Sequence, residues 1–451
     1  MKTYSIIQKS QLEGAHRLDA EYYQPEYFID FTKGDWRPIG GFLETCQYGL
    51  SQAMNDEKLG YPMFKMNDID NAFLFDDQVR YANISESILK EFQLQKNDVL
   101  FNRVNSEEFV GRTGIFKLNL RATFASYLIK LAVYNNGEIL PDYLNIFLNS
   151  SFGLKQIKKF RRRAVNQANV NAEELKQIKI PVLPKIFQKE IEKLSNESWQ
   201  NFENSKNYYQ QAEILLLEEL GLKDFESDEE LYSVVKFSDV KKIGRIDAEY
   251  FQSKYNKLIL KIKSKSAKTL ESFVKNYSTG FPFKSENYQE KGIPLIRINN
   301  IKKGFLDLSD TAYISQRDFQ LSPKDIAKPR DIVLSMSGTI GMSAVISGDV
   351  PKCSINQRVL RITPQNIDAD FLVILLNSIV GSYQLERIGT GGVQINISYK
   401  DIKNILIPDF SKHIQQKIAD LVRQSHEARK KAKELLEEAK HKVEELIEKK
   451  K

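Results

Sequence analysis

Hydrophobic positions along this chain fall into two kinds of run, and each kind occurs twice. Short runs dense in β-branched and aromatic residues predict buried strands: VLFNRV and YLIKLAV in the first half, DIVLSM and RVLRIT in the second. Between them, PDYLNIFLNSSFGLKQIKK carries apolar residues at helical spacing. The mixture predicts an α+β class with a mixed or antiparallel sheet in each half. Just after a strand containing proline, the pattern changes. Apolar and small residues now recur three and four apart, which predicts one helix over Phe187 to Leu220 and another over Ser411 to Lys449. In the second helix, Ile418, Leu421, Ser425, Ala428, Ala432, Leu435 and Ala439 form a coiled-coil seam. The first carries the same register at Ile191, Leu194, Ser198, Asn201, Ser205, Tyr208 and Ala212. Positions such as Glu437, Glu438, Lys440 and Lys442 are left to solvent. Related halves in one chain favour a pseudo-two-fold, and helices related by a two-fold along one axis run antiparallel. The two seams are therefore predicted to pair as an antiparallel coiled coil. The alternative is that each helix caps its own domain.

The duplication is also explicit in the letters. RLDAEYYQPEY from Arg17 returns as RIDAEYFQSKY from Arg245, and YSIIQKSQL from Tyr4 returns as YSVVKFSDV from Tyr232, both 228 residues on. GYPMFKMNDI from Gly60 returns as GIPLIRINNI from Gly292, and KNDVLF from Lys96 as PRDIVL from Pro329. PDYLNIFLNS pairs with DADFLVILLNS, aligning Asn149 with Asn377, and NQANVNAEELKQIKIP pairs with VQINISYKDIKNILIP. A long internal period of this kind marks repeated structural units. The predicted organisation is a first globular domain at 1–184, a first spacer helix at 185–224, a second domain at 225–410 and a second spacer helix at 411–451.

Composition narrows the chemistry. Hydrophobic residues are 41% and charged residues 28%, as expected of a folded protein. No run approaches the roughly 18 apolar residues of a membrane span, and MKTYSIIQKS lacks a signal core, so a cytoplasmic location is expected. Cys46 and Cys353 form no framework and are expected to be packing residues. His16, His413, His426 and His441 form no ligand cluster, so no metal is expected. A net charge of +7 admits a polyanionic partner without requiring one. No catalytic set emerges. SGTIGMS from Ser337 lacks the lysine of a phosphate-binding loop, and no Asn/Asp-Pro-Pro-aromatic motif of an amino-methyltransferase is present. PDYLN and PDFSK resemble the start of a nuclease motif, but Asp142 and Asp409 are better read as helix N-caps.

What remains is a binding surface. KQIKKFRRR, Lys155 to Arg163, is the sharpest basic patch, and its counterpart is YQLERIGTGG, rich in glycine. Charge and bare backbone both suit close approach to phosphates. A solvated helix end is the bland alternative. FNRVNSEEFVGRTG from Phe101 places Arg103, Asn105 and Arg112 in one loop, and its counterpart SMSGTIG is shorter. The framework strands agree while the loops differ, as expected of two readers with one fold and two targets, although drift in unimportant loops would look similar.

These motifs carry a resemblance. RLDAEYYQPEY and RIDAEYFQSKY, GIPLIRINNI, PRDIVLSMSGTIG and GTGGVQINISYKDIKNILIPDFSKHIQQKIADL are similar to those of the DNA specificity subunits of type I restriction–modification systems. The resemblance covers essentially the whole chain. The first half departs from it where RRRAVNQANVN replaces GTGGVQINIS, keeping Gln167 and Asn169. The resemblance implies two target-recognition domains and a non-catalytic, prokaryotic protein that binds an asymmetric bipartite site on double-stranded DNA. It implies two methyltransferase subunits and a translocating restriction subunit as partners, which would carry S-adenosylmethionine, ATP and Mg. Base reading is then expected of Lys65, Asn67, Arg103, Asn105 and Arg112 in the first domain, and of Arg297, Asn299, Ser335 and Ser337 in the second. Arg161, Arg162, Arg163, Gln167 and Gln394 are expected to position the duplex or contact phosphate. Asn67 and Asn299 could equally hold a turn. Arg17 and Arg245 are expected to pair with Asp19 and Asp247 rather than to face DNA, and Tyr22 and Tyr250 to pack beside them. The rival readings are a coiled-coil scaffold whose domains bind proteins, an enzyme with an unfamiliar site such as a nuclease, and a related modification system lacking a translocase.

Overall fold

The structure, a computed structural model, describes residues 6–10, 12, 17–106, 109–135, 137–164, 167–225, 232–389 and 396–449. The chain forms two compact units: Met1–Glu203 with Arg429–Lys451, and Asn204–Ala428.

The first unit is organised on an antiparallel run of strands, Leu43–Tyr48, Leu128–Val133, Val99–Asn102 and Thr113–Ile115. Val99 to Asn102 are fully buried, which explains a continuous apolar run in place of alternation. A smaller sheet pairs Thr123–Phe124 in parallel with Tyr61–Phe64. Helix Pro141–Leu148 covers the large sheet and is buried from Asp142 to Leu148. Helix Ser151–Phe160 follows, with the Ser150 hydroxyl accepting from the Gly153 N–H as its cap.

The second unit repeats this plan with Val274–Ser278, Val359–Pro364, Ile332–Ser335 and Ser343–Val345, and with helices Ala369–Asn377 and Ile379–Ile388. The equivalence reaches single hydrogen bonds. Val170 N donates to the Arg103 carbonyl at 3.0 Å, and Ile397 N to the Met336 carbonyl at 3.0 Å. Asn149 Nδ2 donates to the Thr113 carbonyl (3.1 Å), and Asn377 Nδ2 to the Ser343 carbonyl (2.8 Å). The matched asparagines thus tie the covering helix to the edge of the sheet in each half.

The Pro-Asp pairs behave differently from expectation. Pro141 opens its helix, but Asp142 lies inside the first turn, fully buried, and accepts from Lys117 Nζ at 2.8 Å. Its counterpart Asp370 is buried against Arg330 (2.6 Å) and Arg423 (3.0 Å). Asp409 lies ahead of the helix that begins at Lys412 and pairs with Lys268 at 2.7 Å. Neither aspartate is an N-cap. A buried carboxylate needs a cation, and sequence spacing did not show where those cations sit.

The long helices run Lys185–Leu220 and Lys412–Lys449. The division between units falls within each, so neither is a separate spacer in the sense of packing. In the first unit, Glu190 pairs with Lys442, and Ser198 Oγ donates to the Ala432 carbonyl at 2.7 Å, so the two segments are antiparallel. In the second unit, Ser425 Oγ donates to the Ser205 carbonyl at 2.7 Å. Ile191, Leu194, Ser198, Ser205, Ala212, Ile418, Ser425, Ala432, Leu435 and Ala439 are buried, whereas Tyr208, Leu421 and Ala428 are half-buried. Ser195, Phe202, Val422 and Leu436 are buried as well, so the apolar face is wider than a strict seam. Close approach is visible at Gly304, whose φ is +88°. A Cβ there would meet the Tyr209 ring at 2.4 Å.

Cys353 is buried and Cys46 half-buried. His16 lies outside the described residues. Among the described residues, no group of side chains suits a metal ion, and no single helix is long and apolar enough to cross a membrane.

Candidate nucleic-acid interface

In the first unit, the candidate residues converge on one small sheet. Arg162–Ala164 pairs with Gln167–Asn169, which pairs with Val104–Asn105. Arg103, Asn105, Arg162 and Gln167 are therefore neighbours across three strands, although more than sixty positions separate Asn105 from Gln167 in sequence. Gln167 and Arg162 are exposed. Arg103 is half-buried, with its guanidinium 4.9 Å from the Tyr48 ring centroid and its Nε donating to the Ser126 carbonyl (2.9 Å). Beside it opens a depression of about 260 Å³ lined by Leu50–Met54 and Ala125–Tyr127. Asn105 Nδ2 reaches Met66 Sδ at 3.2 Å, which joins the Lys65–Asp68 turn to this sheet. Arg112 is exposed and lies 4.0 Å over the Phe109 ring.

The turn at Lys65 is held by Asp68, whose carboxylate accepts from the Lys65 N–H (2.8 Å) and Lys65 Nζ (3.0 Å). Burial pushes the Asp68 carboxyl up, against these contacts. In the second unit, Asn300 does the same for the Arg297 N–H at 2.9 Å. The turn role expected of Asn67 and Asn299 thus belongs to the next residue in each half. Asn67 and Asn299 are exposed, Asn299 donating to Asp310 Oδ2 at 3.2 Å. Arg297 donates to the Asp310 carbonyl at 2.9 Å.

Ser335 and Ser337 are placed differently from the other candidates. Ser335 is buried and donates to the Thr339 carbonyl (2.5 Å), closing the turn of its own loop. Ser337 is 1% exposed and bridges to Asn396 through the backbone. The loop is short enough that both hydroxyls point inward. Gln394 lies outside the described residues, as does the side chain of Arg163.

The basic patch divides by partner. Lys155 and Lys158 are exposed. Lys159 lies 4.5 Å over the Tyr22 ring, and burial pushes its ammonium down. Arg162 pairs with Glu174 at 2.7 Å.

The repeated opening motif forms a clamp at the base of this surface. Arg17 Nε and Nη2 donate to both oxygens of Asp19 (2.8 and 2.6 Å), and Nη1 donates to the Phe160 carbonyl (2.9 Å) and to Glu174 (3.3 Å). Arg245 likewise holds Asp247 (2.8 and 2.6 Å) and the carbonyls of Ile388 and Gly389 (3.2 and 3.1 Å). Each arginine thus satisfies free carbonyls at a helix C-terminus, where the dipole also favours a cation. Tyr22 and Tyr250 lie 4.8 Å beneath the two guanidinium groups, so the expected pairing and packing are both present. Hydrogen bonding from Arg17 holds the Asp19 carboxyl below its ordinary value, and Arg245 does so for Asp247. The capping role was missed, because nothing local in sequence links Arg17 to residue 160.

Comparison with known proteins bears on this arrangement. The family model described as the type I restriction modification DNA specificity domain matches residues 37–196 and again 265–440. A Methanocaldococcus jannaschii protein named as the type I restriction enzyme MjaVIII specificity subunit is 24% identical over 448 residues, 95% of this chain and 96% of its own. The Escherichia coli type I restriction enzyme EcoKI specificity subunit is 26% identical over 167 residues, 36% of this chain and 34% of that protein. The crystal structure of the type I restriction-modification S subunit from M. genitalium aligns over 94% of this chain and 98% of its own, with 16% identity and a TM-score of 0.40. With both halves of the chain matched separately by one family model, the protein belongs to the type I restriction modification DNA specificity family.

Proposed function

We propose that each unit reads one half of an asymmetric, bipartite duplex DNA site, and that the chain supplies the address for partner enzymes rather than chemistry of its own. The observation that supports this most directly is the contrast between framework and edge. The backbone hydrogen bonds around Arg103 and Met336 match between units, while the side chains at these positions and in the loops beside them differ. Arg162 and Gln167 are exposed in the first unit and Asn299 in the second, with Asn105 and Arg297 half-buried. Arginine and asparagine suit bidentate contacts to guanine and adenine in the major groove. On this reading, two methyltransferase subunits and a restriction subunit assemble on the chain and hold S-adenosylmethionine, ATP and Mg. The target adenine leaves the stack for the methyltransferase site.

The test is a map of methylated adenines in the source genome with the gene intact and deleted. Loss of one split motif on deletion is the expected result; an unchanged map would overturn the proposal. Binding to that duplex, with the methyltransferase present, is expected to weaken steeply as salt rises. A scaffold for proteins would show no such dependence.

A further inference from the structure

Arg103 N donates to the Tyr127 carbonyl at 3.0 Å, and Met336 N donates to the Arg358 carbonyl at 2.8 Å. These are the same rung of the repeated fold, since Arg103 and Met336 also accept from the matched Val170 and Ile397. Each rung carries one arginine, but on opposite sides. In the first unit the cation is Arg103 and its partner is Tyr127, 43% exposed. In the second, the Arg103 position holds Met336, 8% exposed, and the cation sits at 358. Resting on the function proposed above, we infer that Arg358 is a base-reading guanidinium of the second unit, the counterpart on this rung of Arg103 in the first.

Three observations carry this. Arg358 is exposed, and among the described residues its side chain has no hydrogen-bond, ion-pair or ring partner. Its φ is +70°, a conformation that disfavours any residue with a Cβ. Residues held in such conformations cluster at functional sites. The comparison within the chain is Arg330, also at φ +70°, whose guanidinium is committed to Asp370 at 2.6 Å. Arg358 has no such commitment. Its turn is also tied to the other candidate reader of this unit. Asn356 Nδ2 donates to the Tyr288 hydroxyl (3.0 Å), and the Arg297 guanidinium lies 5.9 Å over the Tyr288 ring. The turn that carries Arg358 is thus linked through Tyr288 to Arg297, whereas the hydroxyls of Ser335 and Ser337 face inward. An exposed, unpaired guanidinium has the chemistry to take guanine O6 and N7.

The experiment uses the full chain assembled with its methyltransferase, and reads methylation rate and motif for Arg358→Gly and Arg358→Lys. Glycine relieves the backbone conformation, so a folding defect is not expected. Arg358→Gly should slow methylation of the cognate motif by about 5- to 150-fold and relax one base position in one half-site. Arg358→Lys should not restore it, because an ammonium cannot make the paired contact. Arg103→Ala should relax the other half-site. A wild-type rate and motif in Arg358→Gly would overturn the inference. So would full rescue by lysine with weakening uniform across sequences, which marks a phosphate contact. If wild-type protein directs no split motif at all, the proposed function fails instead, and this inference with it.

Discussion

At the scale of the residue, the clamp at Arg17 and Arg245 is the clearest case of a motif whose role is mechanical. Arg17 is the more deeply buried, its side chain 9% exposed against 22% for Arg245. Arg17→Ala should cost about 2 kcal/mol, from charged hydrogen bonds lost with carbonyls left unmet, and Arg245→Ala less. Chemical denaturation of the full chain measures both. The pH dependence has a definite sign. Asp19 and Asp247 titrate lower when folded than when unfolded. Their stabilisation is therefore complete above the unfolded value of about 3.9, and is lost as pH falls through the lower folded value. Melting temperature should drop in that acid range, and the double variant Asp19→Asn, Asp247→Asn should show a shallower drop. The pairing of arginine with aspartate was legible because the two are two positions apart and repeat together. Its grip on the helix C-terminus was not, because residues 160 and 389 reach the motif only through the fold. The burial of Ser335 and Ser337 was illegible for a related reason: alignment matches positions, whereas exposure is decided by the length of the intervening loop.

At the scale of the element, the long helices were legible because their periodicity is carried by many residues at once. The wider buried face was less so, since Ser195 and Ser198 look alike in sequence. Their chemistry differs in the structure. Ser198 donates to the Ala432 carbonyl, while Ser195 Oγ is buried with no partner among the described residues. Ser198→Ala should destabilise the protein by about 1 kcal/mol, whereas Ser195→Ala should be neutral or stabilising. Paired urea titrations distinguish them. Gly304 makes the opposite demand. Gly304→Ala introduces a left-handed alanine against the Tyr209 ring and should cost about 1–3 kcal/mol by the same measurement.

At the scale of the whole molecule, the repeat made two similar domains legible from sequence, but not the way the chain divides between them. If, as proposed, each unit reads one half-site, the length of the long helices is expected to set the gap between them. Inserting one heptad into each long helix keeps the seam in register and adds about 10 Å of helix. The methylated motif should then gain about three base pairs in its gap, at 3.4 Å per pair, with both half-sites unchanged. Methylation mapping of the insertion variant reads this directly. The division of the chain has a further consequence. The first unit is completed by residues 429–449, whose Val443 and Ile447 are buried in its core. A ribosome that has just released residue 203 has therefore made a unit lacking one wall, and that wall is translated only after the whole of the second unit. The second unit closes first, since all of it lies between Asn204 and Ala428. The half made earlier is the half that closes later. Stopping translation after Ala428 should leave the earlier-made half exposed to protease and the later-made half resistant.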